Sequence, residues 1–152
     1  MKSEYLYVIY IRGTQEKVWE ALTSPEFTRR YWMGVSMVSE FVAGADWKLM
    51  IPDGRVADTG KVIELERPKR LVVTWKNEFL PELKGEPETR CTFELEQQGE
   101  MVRLSVLHES EREDSKMIRN VSMGWPVILS SLKSLLETGE PLPGTSEWPK
   151  GL

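Results

Sequence analysis

Asp114–Thr138, DSKMIRNVSMGWPVILSSLKSLLET, is the one run of this chain long and periodic enough to be read as a full-length helix. Met117, Ile118, Val121, Trp125, Ile128, Leu129, Leu132, Leu135 and Leu136 recur at steps of three and four, which sets them along one face of a 3.6-residue spiral. At ~1.5 Å per residue the segment runs about 35 Å, and its apolar face needs a partner surface of similar length. Only a sheet built by the preceding residues supplies one.

Gly124-Trp125-Pro126 interrupts that helix. A proline there leaves the Ser122 carbonyl without its amide partner and presses against it. Two readings follow: a kink between Ser122 and Trp125, or a separate helix restarting at Gly124 with Pro126 in its first turn. Both place an interruption in the packed face beside the large Trp125 indole.

Working outward, Met101–His108 alternates with Val102, Leu104, Val106 and His108 on one side, and Arg90–Glu96 alternates with Cys91, Phe93 and Leu95 inward. Leu71–Trp75, LVVTW, is a nearly continuous apolar strand, and Tyr5–Arg12 is aromatic and β-branched, with Tyr5, Tyr7, Ile9 and Ile11 inward. Val35–Val42, Trp47–Ile51 and Arg55–Glu66 complete the strands, with Pro52-Asp53-Gly54 as a turn and Gly60 marking a bulge or a close backbone approach. Between the first two strands Thr14 caps a short helix with Val18, Trp19 and Leu22 as its stripe, and Pro25 opens a second through Tyr31. Asn77–Glu88 reads as a loop or flap over one end of the sheet, and GEPLPGTSEWPKGL after Thr138 as a flexible tail, 139–152. The order of elements gives an α+β fold: one domain, 1–138, whose curved antiparallel sheet surrounds a long C-terminal helix.

The 152 residues carry a net charge of −4 spread along the chain, which argues against a nucleic-acid partner. No apolar run reaches the ~20 residues of a membrane span. MKSEYLYVIYIRG lacks the pattern of a signal peptide, so a cytoplasmic protein is expected. A single cysteine, Cys91, permits no internal disulfide and reads as a small core residue.

Few residues offer chemistry. His108, the single histidine, faces inward by parity and reads as a structural residue, a polar anchor of a pocket, or a general base. No motif ties a nucleophile to it, no cysteine and histidine set suits a metal, and no glycine-rich loop follows a strand to hold a nucleotide. No catalytic residue, metal or cofactor is assigned. The stronger signal is aromatic. Trp32, Trp47, Trp75, Phe93, Met123 and Trp125 come from segments that this architecture gathers around one space, either a filled core or a cavity for a flat apolar ligand oriented by His108 and by Arg55 or Tyr7.

Several spaced segments taken together, TQEKVWEALTSPEFTRRYW of Thr14–Trp32, Asp53-Gly54, Gly60-Lys61-Val62, RPKRLVVTW of Arg67–Trp75, the strand ending in His108 and GWPVILSSLKSLLE of Gly124–Glu137, resemble the family of homologues of the activator of the heat-shock protein 90 ATPase. The resemblance covers roughly Tyr5 to Thr138 and implies a START-like (SRPBCC, Bet v 1-like) helix-grip fold with a hydrophobic cavity between sheet and long helix. Family members often carry Gly-Gly before the third strand, where this chain has Ala43-Gly44-Ala45-Asp46. The expected function is binding of a small hydrophobic or aromatic ligand without catalysis. The resemblance also implies two alternatives: a co-chaperone-like module acting on heat-shock protein 90, and a cyclase or hydrolase using the same cavity through His108 with Glu109. A homodimer through sheet edges or helices is compatible with it.

Overall fold

The computed structural model describes residues 2–152. β1 (Ser3–Arg12) leads into α1 (Gln15–Thr23) and α2 (Pro25–Tyr31). β2 (Ser36–Ser39), β3 (Asp46–Met50), β4 (Val56–Glu66) and β5 (Arg70–Asn77) follow, then a short α3 (Pro81–Lys84), β6 (Thr89–Gln98), β7 (Met101–Ser110) and the long α4 (Lys116–Thr138). The strands form a single antiparallel sheet in the order β1-β7-β6-β5-β4-β3-β2. Each strand from β2 to β7 pairs with its sequence neighbour, and β1 closes the far edge against β7 with Tyr5 opposite His108 and Ile11 opposite Val102. This is the expected α+β helix-grip arrangement.

Local chemistry explains the boundaries. The Thr14 hydroxyl accepts from the Lys17 amide to cap α1, and Pro25 occupies the first turn of α2. Gly60 is a close approach rather than a bulge. A Cβ there would lie 1.9 Å from the Thr74 carbonyl oxygen, and the Trp47 indole N–H donates to that same oxygen at 2.9 Å. The bulge falls two residues later, where the β4–β5 register shifts between Val62 and Glu64.

α4 is continuous from Lys116 to Thr138 with Pro126 inside it, so the reading of a restart at Gly124 is corrected. The apolar stripe runs unbroken through Val121, Trp125, Leu129 and Leu132, all buried, and their packing outweighs the lost Ser122 hydrogen bond. Ser115 accepts from the Ile118 amide at the N-terminus, and Gly139, in the left-handed region at φ 86°, ends the helix. The C-terminal half is tied to β1: Lys133 Nζ donates to the Tyr10 carbonyl, and the Arg12 amide donates to Glu137 Oε2 at 2.8 Å.

Two segments read as loop and tail have specific places. The β5–β6 connection contains α3 and brings Glu86 to the start of α4, where its carboxylate accepts from Ser115 Oγ at 2.6 Å and from the amides of Lys116 at 2.8 Å and Met117 at 3.3 Å. Burial alone would raise the Glu86 pKa, but these donors outweigh it and hold the group below the ordinary glutamate value. From the segment 139–152, the Thr145 hydroxyl lies 2.6 Å from that of Ser131 in α4, both buried, and the Trp148 ring meets Phe79 edge to face at 5.2 Å.

Candidate functional site

Between the N-terminal half of α4 and the β3–β5 part of the sheet lies a cavity of about 350 Å³. Its floor is Leu49 of β3, Asp58 of β4, and Trp75 and Asn77 of β5. Trp32, Met33 and Val35, from the link between α2 and β2, form one wall. Met117, Val121, Trp125 and Ile128 of α4 form the roof, and Phe79, Leu80 and the C-terminal Trp148, Pro149 and Leu152 complete the enclosure. The exposed Asn120 and Met123 stand at the rim.

Of the residues singled out from the sequence, Trp32, Trp75, Met123 and Trp125 line this space, whereas Trp47, Phe93 and His108 do not. Three of the four lining indoles pack on one another, with ring centroids 6.1 Å apart for Trp32 and Trp75, 5.3 Å for Trp32 and Trp125, and 5.7 Å for Trp75 and Trp125. Trp47 lies behind Trp75 at 4.5 Å, and Phe93 meets Trp125 edge on at 5.7 Å. The aromatic set thus splits into a cavity wall and a layer that backs it. Tyr7 stacks on Tyr5 on β1, and Arg55, bonded to Asp53 and to the Leu152 carbonyl, is also outside the lining.

His108 is the residue whose assignment changes most. It is fully buried, with Trp125 Nε1 3.3 Å from its Nδ1 and Thr89 Oγ1 2.8 Å from its Nε2. An indole nitrogen only donates, so Nδ1 must accept and the neutral ring carries its proton on Nε2. That proton goes to Thr89 Oγ1, whose own hydroxyl donates to the Trp75 carbonyl at 3.0 Å. Both ring nitrogens are used, and burial pushes the His108 pKa down to about 3. The network fastens the helix indole Trp125 to the sheet. It leaves no free nitrogen for an anchor in the cavity or for a general base. Glu109, the neighbour considered as its acidic partner, points to the opposite face of β7 as adjacent strand residues must. Cys91, opposite His108 in the register, is buried, and burial followed by the nearby Glu109 charge pushes its thiol pKa up, away from reactivity.

The polar residue that sequence reading missed is Asp58. It is only 8% exposed, sits on the cavity floor, and accepts a hydrogen bond from Asn77 Nδ2 at 3.2 Å. Asn77 is itself held by the amides of Phe79 and Leu80, which donate to its Oδ1 at 3.1 and 2.8 Å. Burial pushes the Asp58 pKa up to about 7, against the pull of the Trp75 indole and the Asn77 amide and with help from the Glu78 charge. The sequence carried only part of the signal: Asp58 shares its parity in β4 with Gly60 and the buried Val62, but also with Glu64 and Glu66, which the bulge after Val62 separates from that inward face.

The family model described as activator of Hsp90 ATPase homolog 1-like protein matches residues 12–137. No curated protein matches the sequence. Among solved structures the fold is similar to CalU16 from Micromonospora echinospora, with a TM-score of 0.72 at 20% identity over 90% of this chain and 77% of that one. It is similar to the Aha1 dimer from Colwellia psychrerythraea, with a TM-score of 0.72 at 23% identity over 90% of this chain and 98% of that one. It is also similar to an HSP90 activator from Plasmodium falciparum, with a TM-score of 0.69 at 16% identity over 88% of this chain and 95% of that one. At these identities the likeness concerns the fold, whereas the sequence match spans most of the chain: this protein belongs to the family of activator of Hsp90 ATPase homolog 1-like proteins.

Proposed function

We propose that this protein binds a small, largely apolar aromatic molecule in the cavity between the sheet and α4. The observation that carries the reading is the cavity itself, about 350 Å³ walled by Trp32, Trp75 and Trp125. Apolar walls of this kind hold a flat ligand chiefly by burial, at ~25 cal/mol per Å² removed from water. His108 supports binding rather than proton transfer, because both its nitrogens are committed to fixing Trp125. Intrinsic tryptophan fluorescence titrated with neutral polycyclic aromatics reads occupancy directly. Leu80→Trp, on a loop that lines the space, fills it and weakens binding at least about tenfold. Equal affinity in the filled variant, or no binding across the panel, defeats the reading.

A second reading is action on heat-shock protein 90 as a protein-binding module, supported by the family description and by the similarity to an HSP90 activator. The chaperone's ATPase rate with and without this protein tests it, and an unchanged rate at saturating protein rules it out.

A further inference from the structure

We propose that the ligand of this cavity is a hydrophobic amine, its ammonium group seated against Asp58 and its apolar body against the indoles, and that the same site turns carboxylates away. The proposal rests on the binding reading above and specifies its chemistry. Three observations carry it.

Asp58 is a carboxyl group on the floor of an apolar cavity; among the described residues it takes part in no ion pair, and the side-chain donors beside it, the Asn77 amide and the Trp75 indole, are both neutral. Among the described residues no lysine, arginine or histidine side chain lines the space, so none complements an anionic ligand, and ionised Asp58 repels one. Indoles line the same space, and the negative faces of such rings accept a cation better than any other apolar side chain. Fatty acids and aromatic acids would bury a second negative charge beside the ionised Asp58 without a partner for either. An ammonium instead supplies the missing countercharge.

The protonation behaviour of Asp58 agrees with this geometry. Burial raises its pKa to about 7 with no cation beside it to offset the effect, and a bound ammonium favours the ionised form. Amine binding below pH 7 therefore expels a proton. The neighbouring elements do not mask that proton. β3 contributes Leu49 to the lining, α4 contributes Met117, Asn120 and Val121, and the C-terminal segment contributes Trp148 and Leu152, none with an ionisable side chain. Glu78, just beyond β5, is the titratable neighbour that acts on Asp58, and Arg55 near the start of β4 is engaged by Asp53.

Calorimetry with three probes of one shape tests the proposal: 2-(2-naphthyl)ethylamine, 2-(2-naphthyl)ethanol and 2-naphthylacetate. Each is titrated into the whole protein in two buffers of different ionisation enthalpy, at about pH 6 and about pH 8. The expected result is an amine affinity at least about tenfold above the alcohol at pH 8, the acetate weakest, and release of most of one proton with the amine at pH 6 but little at pH 8. Asp58→Asn, a near-isosteric change, abolishes the proton release and brings amine and alcohol to similar affinity. If alcohol and acetate bind as well as the amine, or if the variant keeps the amine preference, the amine proposal fails and the cavity reading stands. If none of the three binds, both fail.

Discussion

At the scale of single residues, two buried titratable groups pull stability in opposite directions with pH. His108 is neutral in the folded protein down to about 3, whereas an unfolded histidine takes up a proton near 6.5, so folding is favoured increasingly as pH rises through that window. Asp58 holds its proton in the fold up to about 7, whereas the unfolded carboxyl releases it near 3.8, so folding is disfavoured increasingly as pH rises between those values. Between about pH 4 and 6.5 the two slopes, each about 1.4 kcal/mol per pH unit, largely cancel. Asp58→Asn removes one of them. The stability gap between variant and wild type, from urea midpoints, should therefore widen in the variant's favour by roughly 1 kcal/mol per unit from pH 4 to 7 and then level off. A gap independent of pH would mean that Asp58 is not protonated in the fold. Gly60 offers a purely steric prediction: Gly60→Ala drives a methyl group into the Thr74 carbonyl and should cost more than about 2 kcal/mol, read as a lowered thermal midpoint. Glycine's role there was legible as one of two alternatives, because sequence shows that the position is unusual but not what lies opposite it.

At the scale of elements, α4 and the sheet were legible because their periodicities differ, and Pro126 was misleading because local propensity was set against packing that only the fold displays. Proline's cost is real, yet Val121, Trp125, Leu129 and Leu132 bury the face on both sides of it. Gly124 in the preceding turn is not there for close packing, since a Cβ would meet only Ile128 Cδ1 at 3.8 Å. Gly124→Ala should therefore stabilise the helix by roughly 0.5–1 kcal/mol while adding a methyl group to the cavity roof. Chemical denaturation checks the first effect, and a destabilised variant would show that the turn needs glycine's flexibility. Glu86 belongs to the same element although it is 30 residues from Lys116 in sequence. Glu86→Ala removes the acceptor for Ser115 and for two helix amides and should cost about 1–2 kcal/mol. Because its folded pKa is lowered, that contribution is present above the ordinary glutamate range and fades as pH falls through it, so wild type and variant should converge in acid. No sequence rule announces a helix cap delivered by a distant loop.

At the scale of the whole molecule, the cavity exists because the sheet grips α4 firmly at one end and loosely at the other. The C-terminal half of the helix, with Leu129, Leu132 and Leu135 buried, is tied to β1, while the N-terminal half spans a gap that Trp125 bridges through His108. The gripping architecture was readable from the order of strands and helices, and four of the lining side chains from their aromatic or thioether character. Apart from Trp75 the floor was not, because Leu49, Asp58 and Asn77 are placed there by which residues of β3, β4 and β5 come opposite one another. The enclosure by the C-terminal segment was missed for a related reason. GEPLPGTSEWPKGL has the composition of a tail, yet the hydroxyls of Ser131 and Thr145 lie within hydrogen-bond distance, Gly34 lies close under Ser146, and Trp148 with Leu152 closes one side of the cavity. Removing residues 141–152 should leave the sheet and α4 folded, since the segment adds only the partly buried Trp148 against a core whose buried members all lie outside it, and should open the space above Trp32 and Trp75. The indole N–H resonances of those two residues are the appropriate reporters. In the truncated protein they should exchange with solvent at least about tenfold faster, while the Trp125 resonance, held by His108 on the sheet side, changes little. Unchanged exchange at Trp32 and Trp75 would show that the segment merely rests on the surface, and loss of the Trp125 signal would show that it supports the grip itself.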